Sequence, residues 1–142
     1  LVIENPPKKV ERILDLCGGN GWIGSELKKA FPEAVIISSD IDPPDFGEYP
    51  GIEYIEGDLF ENVDGVFDII ISDPPYMTEE SWIKAGSPEP KHAFTVPRIV
   101  DRIIQDYDKY LAPGGMIGIE VDDGVRYEGW ENLEDRFIIK RK

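Results

Sequence analysis

The stretch RILDL (12–16) runs straight into Cys-Gly-Gly-Asn-Gly and then into a segment with a different period. A short apolar run halted by glycines reads as a buried strand. GWIGSELKKAF (21–31) places Ile23, Leu27, Ala30 and Phe31 at helical spacing, with Pro32 just past its end. A strand that turns through glycines into an amphipathic helix must lay that helix on a sheet. The next strand then returns parallel to the first. This unit constrains the chain to an α/β architecture, and the pattern downstream agrees. AVIISS (34–39), IEYIEG (52–57), VFDIIIS (66–72), MIGIEV (116–121) and DRFIIKRK (135–142) read as strands, the last one antiparallel. RIVDRIIQDYDKYL (98–111) reads as a helix between Pro97 and the stop Pro113-Gly114-Gly115. VRYEGW (125–130) reads as a hairpin partner for the last strand.

The expected fold class is therefore α/β, a Rossmann-like, mostly parallel twisted sheet in one domain spanning 1–142. The fold is trimmed. Only 17 residues separate Asp40 from Asp58, too few for a helix between the second and third strands, and little helix fits between Val121 and Asp135. A sheet face covered so thinly exposes apolar surface. A small partner protein or a second copy in a homodimer is the expected cover. The chain begins at Leu1 rather than Met, which reads as a shortened N-terminus. No apolar run approaches the ~18 residues of a membrane span. One cysteine, Cys17, and one histidine, His92, exclude an internal disulfide and leave no Cys- or His-based metal site. A reduced, cytoplasmic setting is the expectation. With 15 basic and 29 acidic residues the net charge is −14, which repels phosphates and suits a basic protein partner.

Ligands of parallel sheets sit at strand carboxyl ends. Asp15 to Gly21, Asp40, Asp58 and Asp73 to Tyr76 all fall there and outline one crevice. Gly19-Asn-Gly21-Trp-Ile-Gly24 matches G-x-G-x-x-G, and Asp40 follows Gly19 by 21 residues, as a ribose-binding carboxylate would. An adenosine-type cofactor is expected. Asp15 decides which kind, since a buried carboxylate needs a donor or a cation. An acidic crevice opposes a diphosphate and suits the sulfonium and free amino group of S-adenosylmethionine.

DLCGGNG resembles the first motif, D-x-G-x-G-x-G, of class I S-adenosylmethionine-dependent methyltransferases, with Cys17 in place of the first glycine. That exchange is mild on an extended backbone and strained at positive φ. The resemblance implies a cofactor site formed by Asp15, Cys17, Gly18, Gly19, Gly21, Asp40, Ile41, Asp58, Leu59 and Asp73. In it Asp40 holds the ribose, Asp58 receives the adenine amino group and Leu59 contributes backbone. Asp73-Pro74-Pro75-Tyr76 resembles the (D/N/S)-P-P-(Y/F/W) motif of enzymes that methylate planar nitrogens. GDLFENVDGVFDIIISDPPYM and EPKHAF…RIVDRIIQDYDKYLAPGGMIGIEV are similar, in order and spacing, to HemK-type protein glutamine N5-methyltransferases.

The four residues Asp73, Pro74, Pro75 and Tyr76 are the expected catalytic set. An amide or exocyclic NH₂ is a poor nucleophile because its lone pair is delocalised. Fixed acceptors on its hydrogens, Asp73 Oδ and the Pro74 carbonyl, would raise charge density on nitrogen as it becomes tetrahedral. The prolines fix that carbonyl, and Tyr76 would stack on the flat substrate. No metal is required. The favoured acceptor is a protein glutamine of the release-factor type. The alternative is the exocyclic amine of adenine or guanine in nucleic acid, to which Asp rather than Asn at position 73 points. A catalytically silent cofactor-binding subunit and an NAD-dependent oxidoreductase are the readings from other classes. The long loop 73–96 is expected to act as a lid or substrate channel, with Trp82 covering the substrate or anchoring the loop. Trp22 is expected to be a core contact, Cys17 to be packed rather than reactive, and His92 not to be a general base.

Overall fold

The computed structural model describes residues 3–86, 90–91 and 94–142, so His92 lies outside the described residues. The elements are β1 (Arg12–Leu16), α1 (Trp22–Ala30), β2 (Val35–Asp40), β3 (Ile52–Glu56), β4 (Phe67–Ser72), α2 (Glu79–Ala85), α3 (Ile99–Asp106), β5 (Leu111–Glu120), β6 (Glu131–Leu133) and β7 (Phe137–Arg141). They form one seven-stranded sheet in the order β3-β2-β1-β4-β5-β7-β6. The first five pair in parallel, while β7 runs antiparallel to β5 and β6. Strand order reverses between β1 and β4, the place where such sheets bind ligands.

Apolar residues fill both faces of these strands because helices and loops cover both sides. Leu14, Leu16, Ile70, Ile117 and Ile119 face the α3 side with Ile99, Val100 and Ile103. Ile13, Ile36, Ile69 and Met116 face the α1 side with Leu27. No helix joins β2 to β3 or β3 to β4. Leu59, Phe60 and Val63 cover the α3 face instead, with the Phe60 ring stacked on Tyr110 at 4.5 Å. The α1 face is thinner. Beside Ile71, Met116, Phe137 and Ile139 it carries a cleft of about 500 Å³. No helix among the described residues is long and apolar enough to cross a membrane.

Two expectations need correction. The helix expected over 98–111 ends at Asp106, followed by a 3-10 turn Tyr107–Tyr110, and Leu111 already belongs to β5. Leu111 pairs with Phe67, and that buried long-range contact overrides its helical periodicity. The Pro113-Gly114-Gly115 stop is absorbed inside β5 as an irregularity in the β4–β5 register. A Cβ on Gly115 would lie 2.8 Å from the Ala112 carbonyl and 2.9 Å from that of Asp68, so only glycine fits. The partner of β7 is Glu131–Leu133 rather than 125–130. Aromatics hold the earlier segment against α3 and the turn after it: Tyr127 Oη donates to Asp101 at 3.0 Å, and Trp130 meets Tyr107 edge-on at 5.2 Å.

Candidate active site

The register sets the site. Leu16 lies beside Ser39 of β2 and Ser72 of β4, so the glycine turn leaving β1 stands between Asp40 and Asp73. Its glycines have different duties. A Cβ on Gly18 would come within 2.1 Å of Ser38 Oγ and 2.7 Å of Asp15 Oδ2, so Gly18 lets the turn close onto the sheet. One on Gly21 would strike Tyr54 Oη at 2.5 Å. Gly19 has φ +55° and nothing within 4 Å of its missing side chain, an open cradle toward which a ligand can move. Cys17, where the motif has its first glycine, has φ +59°. The departure therefore falls on the strained side, at a cost of about 1–2 kcal/mol for a left-handed non-glycine. Its side chain packs against the core under the turn, and burial pushes the thiol up to about 12, which leaves it unreactive.

Asp15 is fully buried. Its Oδ2 accepts from Gly24 N–H at 3.0 Å and from Ser38 Oγ at 3.4 Å, while Oδ1 has no partner among the described residues. Burial pushes the carboxyl up to about 7; the Gly24 and Ser38 hydrogen bonds oppose that rise, and Asp40 adds to it. An orphaned oxygen buried beneath the glycine turn fits a ligand that brings its own cation or donor to that turn. Asp40 ties the strand ends together, Oδ2 accepting from Gly19 N–H at 3.0 Å and Oδ1 from Asp42 N–H at 2.9 Å. Ile41 beside it is exposed. Asp58 is paired through Oδ2 with Arg102 of α3 at 2.7 Å. Leu59, at φ +54°, buries its side chain and accepts from Ser39 Oγ at 3.2 Å.

The turn after β4 is built around its prolines. The Pro74 carbonyl accepts from Tyr76 N–H at 2.7 Å, using one of its two lone pairs within the turn. The Pro75 carbonyl accepts from Val96 N–H at 2.9 Å, and Met77 N–H donates to Phe94 at 2.8 Å. With the bridge between Tyr76 and Thr95, these bonds close the base of the 73–96 loop. Inside the loop lies α2, which the polar composition had hidden. Thr78 caps it, accepting from Ser81 N–H at 3.1 Å. Trp82 sits half-buried on α2, its Nε1 without a partner among the described residues. Trp22 is not a core contact: it is 53 % exposed, at the edge of the cleft that also reaches Asp73.

The structure adds two residues that the sequence reading passed over. Ser72 pairs with Ile119, so Glu120 ends β5 directly beside Asp73. Glu120 Oε1 accepts from Tyr76 Oη at 3.1 Å and from Arg136 Nη2 at 2.7 Å. Asp73, exposed on its outer side, is pushed up to about 7 by lost solvation from the cleft walls, then by Glu120 and by Asp15, with Arg136 opposing. The signal was available, because Glu120 is the acidic residue at the carboxyl end of the fifth strand, the position that drew attention to the other four. No cluster of three metal-ligating side chains occurs among the described residues.

A family model described as "Methyltransferase small domain" matches residues 1–138. A ribosomal protein uL3 glutamine methyltransferase of Bradyrhizobium diazoefficiens is 34% identical over 138 residues, covering 83% of this chain and 43% of the relative. A release factor glutamine methyltransferase of Corynebacterium glutamicum is 26% identical over 130 residues, covering 79% of this chain and 47% of the relative. The chain thus spans less than half the length of these two relatives. A T. thermophilus 16S rRNA N2 methyltransferase, solved with AdoMet and guanosine, superimposes with a TM-score of 0.67 at 15% identity, over 94% of this chain and 38% of that one. A methyltransferase of Pyrococcus furiosus gives 0.54 at 19% identity, over 80% of this chain and 56% of that one. The likeness to these two structures is one of fold.

Proposed function

We propose, since the chain belongs to the methyltransferase small domain family, that it moves a methyl group from S-adenosylmethionine to the side-chain amide nitrogen of a protein glutamine. The observation that carries this reading is an adjacency. The open glycine cradle at Gly19 and the proline-fixed turn Asp73–Tyr76 leave neighbouring strands at one level of the sheet. When bound, the cofactor supplies an electrophilic methyl group on a sulfonium. Asp15 Oδ1, without a partner of its own, accepts from the ammonium of the cofactor's methionine part. Asp40 keeps lone pairs for the ribose diol, and Asp58 with the Leu59 backbone borders the adenine. Asp73 Oδ and the second lone pair of the Pro74 carbonyl accept the two amide hydrogens. The nitrogen is thereby held with its lone pair along the line of transfer, and alignment supplies much of the rate. Tyr76, its hydroxyl planted on Glu120, offers a fixed ring face to the planar amide.

The relatives named for uL3 and release-factor glutamine support a protein acceptor, as does the charge of −14, which repels a polyanion. The nucleic-acid amine stays as the second reading on the strength of Asp73. The cleft over Ile71, Met116 and Ile139 supports the further reading that a second copy or a small activator covers the α1 face. A chain that sediments as a monomer at micromolar concentration and turns over unaided would refute it.

The cofactor reading has a pH signature. Below neutrality Asp15 holds a proton in the free protein, and an ammonium prefers the carboxylate. Binding of S-adenosylmethionine should therefore release a proton and tighten as pH rises from 5 toward about 7, then level off. Calorimetry in two buffers of different ionisation enthalpy reads that proton directly. An affinity flat across this range, or preference for NAD, would reject the assignment.

A further inference from the structure

Gly118 sits in the middle of β5, between Ile71 of β4 and Ile139 of β7, and all three line the cleft on the α1 face. Glycine in a strand interior weakens the strand and marks places where something approaches the backbone closely. Its own surroundings do not call for it here. The backbone at Gly118 is not left-handed. Among the described residues beyond its chain neighbours, a Cβ there would meet only Ile71 Cδ1, at 3.4 Å. The missing side chain therefore deepens the floor of a cleft of about 500 Å³.

The rim has a different character from this apolar floor. Glu4, Glu131 and Glu134 are exposed along it and enter no ion pair among the described residues. Arg141, the one cation lining the cleft among the described residues, is engaged by the backbone carbonyls of Glu4 and Asn5, at 3.1 and 2.7 Å. Trp22 stands half-exposed on the α1 side, and an aromatic face near carboxylates suits a cation. At the carboxyl ends of β4 and β5 the cleft reaches Asp73, so whatever lies in it is led to the catalytic turn.

We propose that this cleft is the docking groove for the methyl-acceptor protein: a segment beside the reactive glutamine lays an apolar side chain on the Gly118 floor and a lysine or arginine against the carboxylate rim. The inference rests on the protein glutamine methylation proposed above and names the kind of sequence that surrounds the acceptor. Charge decides between occupants. A second copy, another cover for this face, brings the same net charge of −14, and a polyanion is repelled in the same way at the rim. A basic segment replaces that repulsion by attraction while its apolar side chain leaves water.

Two fluorescent synthetic peptides test this with the full chain. Both carry one glutamine flanked by leucines; one adds arginines, and its twin has glutamates at the same places. Anisotropy reads binding without any methyl transfer. The wild type should bind the arginine peptide at least about tenfold more tightly than its twin. The methyl NMR signals of Ile71 and Ile139 should move as it binds. Gly118→Val raises the floor, and Glu131→Lys with Glu134→Lys reverses the rim; each should weaken the arginine peptide by about tenfold or more. Thermal melts and calorimetric binding of S-adenosylmethionine, unchanged in both variants, check that they are folded. Equal affinity for the two peptides, no binding of either, or binding that both variants leave in place overturns the proposal. So does a wild-type dimer that Gly118→Val dissociates, which would give the cleft to a second copy. If docking behaves as expected and no protein in a cell extract is methylated, the groove stands and the glutamine reading fails. If Gly118→Val methylates extract protein as fast as wild type at limiting extract, that reading stands and the groove fails.

Discussion

Replacing Asp73 by Ala should lower methyl transfer by at least about 100-fold while cofactor affinity stays within a few-fold. The reasoning is local. Asp73 lies on the exposed rim of the cleft, one residue beyond β4, and its side chain is not part of the core that holds the sheet. Removing it leaves the Pro74–Tyr76 turn intact, because that turn is closed by backbone bonds to Tyr76 and Val96. What is lost is the acceptor that polarises the nucleophilic nitrogen, an interaction that strengthens as positive charge develops there. The effect should therefore fall on kcat. Steady-state kinetics beside a binding isotherm separates the two terms. Unchanged turnover would remove Asp73 from the chemistry.

Gly19→Val should do the reverse, reducing S-adenosylmethionine affinity by about 100-fold or more with a folded protein retained; the filled cradle lowers affinity, while left-handed strain of about 1–2 kcal/mol falls on stability. Nothing among the described residues beyond its chain neighbours lies within 4 Å of the position that a Cβ at Gly19 would take, so the first carbon of a new side chain enters open space. It occupies the volume that the turn leaves for a ligand, and a β-branched residue at φ +55° strains the turn. The same change at Gly18 would be a poor test, since its Cβ would collide with Ser38 and Asp15 and the turn itself would move. Calorimetric binding, with a thermal melt as control, checks the prediction. Wild-type affinity would mean that the cofactor lies elsewhere.

Four of the five parallel strands were legible as short apolar runs that end near glycine or acid, as burial on both faces demands, whereas β3, an edge strand with no buried residue, was legible from the alternation in IEYIE. The glycine turn, Asp15 and the Asp-Pro-Pro-Tyr turn were legible for a similar reason: strand ends are where chain chemistry and chain direction change together. Three features were not. Leu111 fits the helical period of 98–111, and only its pairing with Phe67 assigns it to β5. The short α2 has an ordinary Thr78 cap in a segment too polar to show a period. The role of Glu120 depends on side-chain contacts with Tyr76, 44 residues away, and with Arg136, 16 residues away, which no local pattern reveals. Cys17 shows the complementary limit, since the residue was visible and its left-handed backbone was not.

The most direct test uses the chain with tritiated S-adenosylmethionine and a cell extract of its source, with the labelled product divided between protease and nuclease. The account predicts that protease removes the label, that nuclease does not, and that acid hydrolysis of the labelled protein releases tritiated methylamine from an N-methylated glutamine amide. Label lost to nuclease would contradict the protein acceptor and favour the base amine. No label at all, from a chain that binds the cofactor, would contradict catalysis by the chain on its own.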